Sequence, residues 1–208
     1  MWQHVGLPKV KPIFRVYYKD NREVMVMDGI PSDEQIAEMT KELTQARIAN
    51  WLAEDLFTWR WWFVLALLIV PWVIFHYTAD RKKLPRLFLY GIFLFIIVLI
   101  LDTLGYENGL WYYPCKIVPF GPLVAFIDAG PLPVIYMLEY QYFPKWRDFI
   151  VVSIITSLIF SFALEPAFRV MGLYVPIAWR CIYSFPIYII LPVLMRLAVE
   201  KVFAAAMD

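Results

Sequence analysis

The sequence has little of what soluble catalysis is usually built from. Two histidines and two cysteines among 208 residues argue against a transition-metal centre made of protein ligands alone, and neither His-x-x-x-His nor Cys-x-x-Cys spacing occurs. There is no glycine-rich phosphate loop, no Gly-x-Ser-x-Gly elbow and no haem-attachment motif. No metal and no cofactor is therefore indicated. Charge is also scarce, at 18% of residues with a net value of +1, which removes any electrostatic case for nucleic acid as a partner. What is abundant is apolar surface. Hydrophobic residues make up 62% of the chain, where soluble domains hold about 45–50%. That balance excludes a soluble enzyme, and 18% aromatic residues exclude a disordered chain.

The charges are not evenly spread. Residues 1–60 hold eight of the 19 Lys and Arg and nine of the 18 Asp and Glu, so residues 1–58 read as a polar extension and 59–208 as a membrane bundle. Met1 to Arg15 contains Lys9, Lys11, Pro8 and Pro12 and does not read as a signal peptide. Ile13 to Tyr18 and Val24 to Met27 are β-prone runs around Lys19-Asp20-Asn21-Arg22, the pattern of a hairpin. After an Asp28-Gly29-Ile30-Pro31 turn, Ser32 and Gln35 have capping-box spacing, and Asp33 and Glu34 suit a first helical turn. Ile36, Met39, Leu43 and Ala46 follow at helical spacing, as in an amphipathic helix running into the membrane surface.

From Trp59 onward five segments are long enough to cross about 30 Å of hydrocarbon: 59–78, 87–104, 120–141, 149–167 and 182–203. The expected fold is an all-α integral membrane protein, a compact bundle of about five transmembrane helices with the small polar extension. Arg81, Lys82, Lys83 and Arg86 between the first two segments set that connection in the cytoplasm, with Lys145, Arg147 and Lys201 on the same side. Five crossings leave the N-terminal extension outside, and a sixth near residues 106–125 would bring it inside. Trp59, Trp61, Trp62, Trp111, Tyr112, Tyr113, Trp146 and Trp179 sit near segment ends, as interfacial aromatics do. Cys115 and Cys181 fall on one expected side, which leaves a disulfide geometrically open.

Ionisable residues within or beside the apolar segments are the candidates for function, because intramembrane carboxyls usually face a bundle interior or a hydrated cavity. Asp102 lies near the outer end of the second segment, Asp128 within the third and Glu165 near the outer end of the fourth. Glu107, Arg169 and Arg180 fall at the same level, and the six read as one polar site. The alternative is that all but Asp128 mark helix ends in the headgroup layer. Asp128 is the strongest candidate, since Gly130-Pro131 breaks the helix beside it. Tyr183, Ser184, Tyr188 and Arg196 are the polar features of the last segment, which Pro186 and Pro192 should kink. Glu139 reads as a solvated interfacial partner of Lys145 and Arg147, and His76 as structural.

Three stretches carry a resemblance: Leu101-Asp102-Thr103-Leu104-Gly105 through Gly109-Leu110-Trp111-Tyr112-Tyr113-Pro114, Leu132-Pro133-Val134-Ile135-Tyr136-Met137 through Tyr140-Gln141-Tyr142-Phe143-Pro144-Lys145-Trp146, and Tyr183-Ser184-Phe185-Pro186-Ile187-Tyr188. Over residues 60–203 the chain resembles a family of small multi-span membrane proteins of endospore-forming Firmicutes. The resemblance implies a bacterial cytoplasmic or spore inner membrane and no particular reaction. Asp102, Asp128 and Glu165-Pro166 are also loosely similar to the intramembrane acids of small isoprenoid cyclases. The residues thus allow three readings: a non-enzymatic protein binding a partner membrane protein, a second copy or a small ligand, for which the resemblance implies a role in sporulation or germination; an acid-catalysed enzyme on a lipid or isoprenoid, with Asp128, Asp102 and Glu165 catalytic; or a proton- or cation-coupled transporter. In the first, Asp128, Asp102, Glu165, Glu107, Arg180, Arg169 and Tyr188 form the binding site.

Overall fold

The computed structural model describes residues 14–19, 22–27, 30–120 and 126–205. The chain forms two compact units, Met1–Arg47 and Ile48–Asp208. The division thus falls before residue 58, because residues 51–61 are tied to the membrane unit. The indole N–H groups of Trp51 and Trp61 donate to the carbonyls of Lys116 and Ile117 at 3.0 and 3.1 Å. The Lys116 amide donates to the Asp55 carboxyl at 3.3 Å.

In the first unit, β1 (Phe14–Lys19) pairs antiparallel with β2 (Arg22–Met27) from Phe14 opposite Met27 to Lys19 opposite Arg22. The two paired strands are together longer than the apolar runs suggest. Asp20, Asn21, Asp28, Gly29 and residues 1–13 lie outside the described residues. Helix α1 (Asp33–Asn50) starts at the expected capping box. The Ser32 amide donates to Gln35 Oε1 at 2.9 Å and the Gln35 amide to Ser32 Oγ at 3.3 Å, so each residue satisfies one of the other's backbone donors.

The second unit is helical. It comprises α2 (Trp59–Thr78), α3 (Leu84–Glu107), α4 (Phe126–Ala129), α5 (Pro131–Tyr142), α6 (Trp146–Ile159), α7 (Glu165–Val170) and α8 (Cys181–Ala205). A π-helical turn (Phe160–Leu164) joins α6 to α7. Two short strands, β3 (Trp111–Tyr112) and β4 (Val175–Pro176), pair antiparallel. Among the described residues four stretches, Trp59–Thr78, Arg81–Glu107, Trp146–Val170 and Cys181–Ala205, are long and apolar enough to cross a membrane, and the protein is a membrane-embedded all-α bundle.

The third expected segment is not one continuous helix. It is broken at Gly130, where Pro131 and Pro133 lack the N–H groups needed to continue a helix from α4. Gly121 and Pro122 lie outside the described residues. α5 runs beside α2 and α3 to the α2–α3 connection. There Gln141 accepts from the Asp80 amide at 2.8 Å and donates to the Thr78 carbonyl at 3.0 Å.

Polarity is arranged for a lipid solvent. Exposed apolar rows run along α2 (Ile69, Val70, Val73, Ile74), α3 (Ile92, Ile96, Ile100) and α8 (Ile190, Leu194, Leu197), the faces a helix turns toward hydrocarbon. Inside, Leu87, Tyr90, Leu94, Leu132, Met137 and Phe149 pack the core. Pro186 and Pro192 lie within an otherwise continuous α8. Pro192 cannot donate to the carbonyl of Tyr188 one turn back, and the Tyr136 hydroxyl donates to that oxygen instead, at 2.7 Å.

Candidate functional site

At the end of the bundle closed by β3 and β4 lies a cavity of about 310 Å³, the lower end of the range that holds small ligands, about 300–1,000 Å³. Asp102 from α3, Asp128 from α4, Glu165 from the start of α7 and Tyr188 from α8 all line it. Sequence-distant segments thus bring three carboxyls to one space.

Each is placed by local chemistry. Asp102 sits one turn before Gly105, whose missing side chain admits the Trp111 ring. An added Cβ would lie 2.0 Å from Trp111 Cη2. Seated there, the Trp111 indole donates to Asp102 Oδ1 at 3.0 Å and the Tyr113 hydroxyl donates to the same oxygen at 2.6 Å. α3 can stop before β3 because Gly109 adopts φ +67°, the left-handed conformation that ends helices. Asp128 enters through the break, which is held from α2 by the Trp72 indole donating to the Ala129 carbonyl at 2.7 Å. Glu165 follows the π-helical turn, with Ser184, Cys181 and Tyr188 against its carboxyl.

One oxygen of each carboxyl, Asp102 Oδ2, Asp128 Oδ2 and Glu165 Oε2, is buried without a hydrogen-bond partner. Asp102 and Asp128 are themselves 7% and 6% exposed, so water at the protein surface does not serve them. Buried polar groups in native proteins are normally paired. The three residues that hold these unpaired oxygens all line the one cavity.

The walls are aromatic. Trp111, Tyr113, Phe168, Tyr174, Trp179 and Tyr188 line the cavity, and no described lining residue is Lys, Arg or His. Burial, and after it the Asp102 and Asp128 carboxyls, pushes the Tyr113 hydroxyl well above its usual range. Burial, then Glu165, Cys181 and Asp102, does the same to Tyr174. Both phenols therefore stay protonated at physiological pH. The three carboxyls do not converge as metal ligands: among the described residues no group of three His, Cys, Asp or Glu is placed to hold a metal ion.

The other candidates part company with this site. Glu107, Arg169 and Arg180 are exposed and do not line the cavity. Ser184 and Tyr188 line it, Tyr183 is exposed at the surface, and Arg196 lies elsewhere. Glu139 is not an interfacial partner of Lys145 and Arg147. It is buried between α5 and α6, accepting hydrogen bonds from Ser153 at 3.2 Å and from Thr156. His76 is exposed. Cys115 and Cys181 are both free thiols, and burial followed by the Asp55 charge pushes Cys115 up to about 11.

Sequence reading does not single out Gly105, Trp111, Tyr113 or Trp179 as site residues. The Trp111-Tyr112-Tyr113 run reads as an interfacial girdle. Only the spacing of Asp102 and Gly105, one turn apart on α3, hints that a bulky group is received beside the carboxyl. No protein-family model, curated protein or solved structure matches the chain.

Proposed function

We propose that this protein binds a small amphiphile with a cationic, hydrogen-bond-donating head in the cavity between Asp102, Asp128 and Glu165, without transforming it. The observation that carries this reading is that three carboxyl side chains, each with one buried oxygen lacking a hydrogen-bond partner, line one cavity in which no described lining residue is basic. An organic ammonium supplies both the missing donors and the missing positive charge. Six aromatic walls favour the same ligand, since a cation over an aromatic face gains about 0.5–2 kcal/mol. We place the protein in a bacterial cytoplasmic or spore inner membrane, with the Arg81–Arg86 connection on the cytoplasmic side. That placement draws on loop charge and on the resemblance to the Firmicutes family.

Titration of the purified full chain with dodecylamine, against dodecanol as the neutral probe, tests the reading. The amine should bind saturably and at least about tenfold tighter than the alcohol, a difference worth about 1.4 kcal/mol. Asp128→Asn, which keeps the shape and removes the charge, should abolish the preference. Equal binding of the two probes, or an unchanged preference in Asp128→Asn, would contradict it. The second reading, acid catalysis on a lipid or isoprenoid, uses the same carboxyls and aromatic walls. Conversion of a polyprenyl substrate by wild type and not by Asp128→Asn would put catalysis in place of binding.

A further inference from the structure

A second cavity, of about 370 Å³, opens at the α2–α3 connection between the first turn of α3, the end of α5 and the last turns of α8. Its character is the reverse of the first. Lys82, Lys83, Arg86 and Arg196 line it against a single carboxylate, Glu200. Two of the cations are fixed in place. Arg196, 3% exposed, donates to the carbonyls of Phe143 and Pro144 and, at 2.9 Å, to Glu200 Oε1. Arg86 lies over the Phe203 ring at 4.6 Å and its charge acts on the Tyr140 hydroxyl beside it. The Arg196–Glu200 pair cancels one charge, which leaves Arg86, Lys82 and Lys83. Lys83 reaches Asp80 only at 3.9 Å, so the two ammonium groups remain open to another anion.

We propose that this cavity binds the phosphate-bearing headgroup of an anionic diacyl phospholipid. A phosphodiester oxygen pair suits a guanidinium held beside two mobile ammonium groups, and basic pockets between membrane helices are where acidic headgroups bind. Two observations favour a lipid over free phosphate. Leu87, Pro85 and Phe203 form an apolar side of the cavity. The helices that build it, α3 and α8, also carry the exposed rows Ile92, Ile96 and Ile100 and Ile190, Leu194 and Leu197, against which acyl chains can lie. The Gln141 amide is already engaged by Asp80 and Thr78, so recognition rests on charge and not on a specific polar headgroup.

The test uses the purified full chain in a neutral detergent. Native mass spectrometry follows retention of dioleoyl phosphatidylglycerol and dioleoyl phosphatidylcholine, and inorganic phosphate serves as competitor. Wild type should retain the phosphatidylglycerol at least tenfold better. Lys82→Gln and Lys83→Gln, both at exposed positions, should each weaken it about fivefold, as expected for one surface charge near an anionic headgroup. Lys82→Arg with Lys83→Arg should restore it. Equal retention of the two lipids would overturn the proposal, as would an unchanged preference in the double glutamine variant. Displacement of the lipid by millimolar phosphate would also overturn it and assign the site to free phosphate. The cavity between Asp102, Asp128 and Glu165 is separate, so failure here leaves dodecylamine binding unaffected.

Discussion

Gly105→Ala should dismantle the carboxylate cavity while leaving the spanning helices in place. Real Cβ contacts are not found under 3.0 Å, and here the added carbon would lie 2.0 Å from two carbons of the Trp111 ring. The ring is also packed edge-on against Trp179 at 5.0 Å and sits in the β3–β4 pair opposite Pro176. It can leave only by abandoning Asp102. Overpacking of this kind costs about 1–3 kcal/mol, and the lost indole bond to a carboxylate adds about 1.5 kcal/mol or more. Alanine's better helix propensity returns about 1 kcal/mol. The net loss of stability should be about 2–3 kcal/mol, read as a lowered melting temperature, and dodecylamine binding should weaken at least tenfold. Gly91→Ala is the internal control. Its Cβ would meet the Met137 sulfur at 2.5 Å, but an unbranched thioether can move aside. That variant should stay within about 1 kcal/mol of wild type and bind the amine normally.

Arg196→Met should have the largest effect on stability of any single change at the opposite end. The guanidinium ties α8 to the α5–α6 connection through Phe143 and Pro144. It also lies over Trp146 at 4.4 Å, Phe149 at 4.6 Å and Tyr140 at 5.3 Å. Methionine fills much of the volume but leaves two carbonyls without a donor, each worth about 1–3 kcal/mol, and removes cation–π contacts of about 0.5–2 kcal/mol. Glu200 keeps access to water, its side chain being 33% exposed, so its loss of a partner adds little. A fall of about 3–5 kcal/mol is expected, measured by thermal unfolding in detergent. Arg196→Lys should recover less than half of it, because an ammonium cannot reproduce the fork that reaches both carbonyls. Full recovery by lysine would show that charge alone, and not the fork, holds this junction.

The parts of the molecule that sequence makes legible are those with a local cause. Apolar runs locate the spanning helices, Ser32 and Gln35 locate a helix start, and Asp128 beside Gly130-Pro131 locates a break with a carboxyl in it. The convergence of Asp102, Asp128 and Glu165 follows from the high cost of carboxyls in lipid. What the sequence hides has non-local causes. Glu139 lies close in sequence to Lys145 and Arg147, and proximity along the chain suggests a surface pair. In the fold it faces α6, where Ser153 and Thr156 stand one turn apart. That spacing in an otherwise apolar helix is the signal that a buried acceptor sits opposite. The Trp111 ring in the Gly105 notch joins residues of one local stretch, but only the pairing of β3 with β4, far along the chain, holds the ring there. Helix spacing cannot disclose it. The exclusion of Glu107, Arg169 and Arg180 has the same origin, since a residue's level along a helix says nothing about which way it points once loops close over the end.

Cysteine pairs in native membranes show whether the three carboxyl positions meet in one cavity. With Cys115 and Cys181 replaced by alanine, Asp102→Cys is combined in turn with Asp128→Cys, Glu165→Cys and Glu139→Cys, and treated with a short bifunctional thiol reagent. Cross-linked peptides are then identified by mass spectrometry. Cross-links in the first two pairs and none in the third are predicted, because only Asp128 and Glu165 share the cavity with Asp102. Failure of both cavity pairs, or linkage of the Glu139 pair as readily as theirs, would contradict the account.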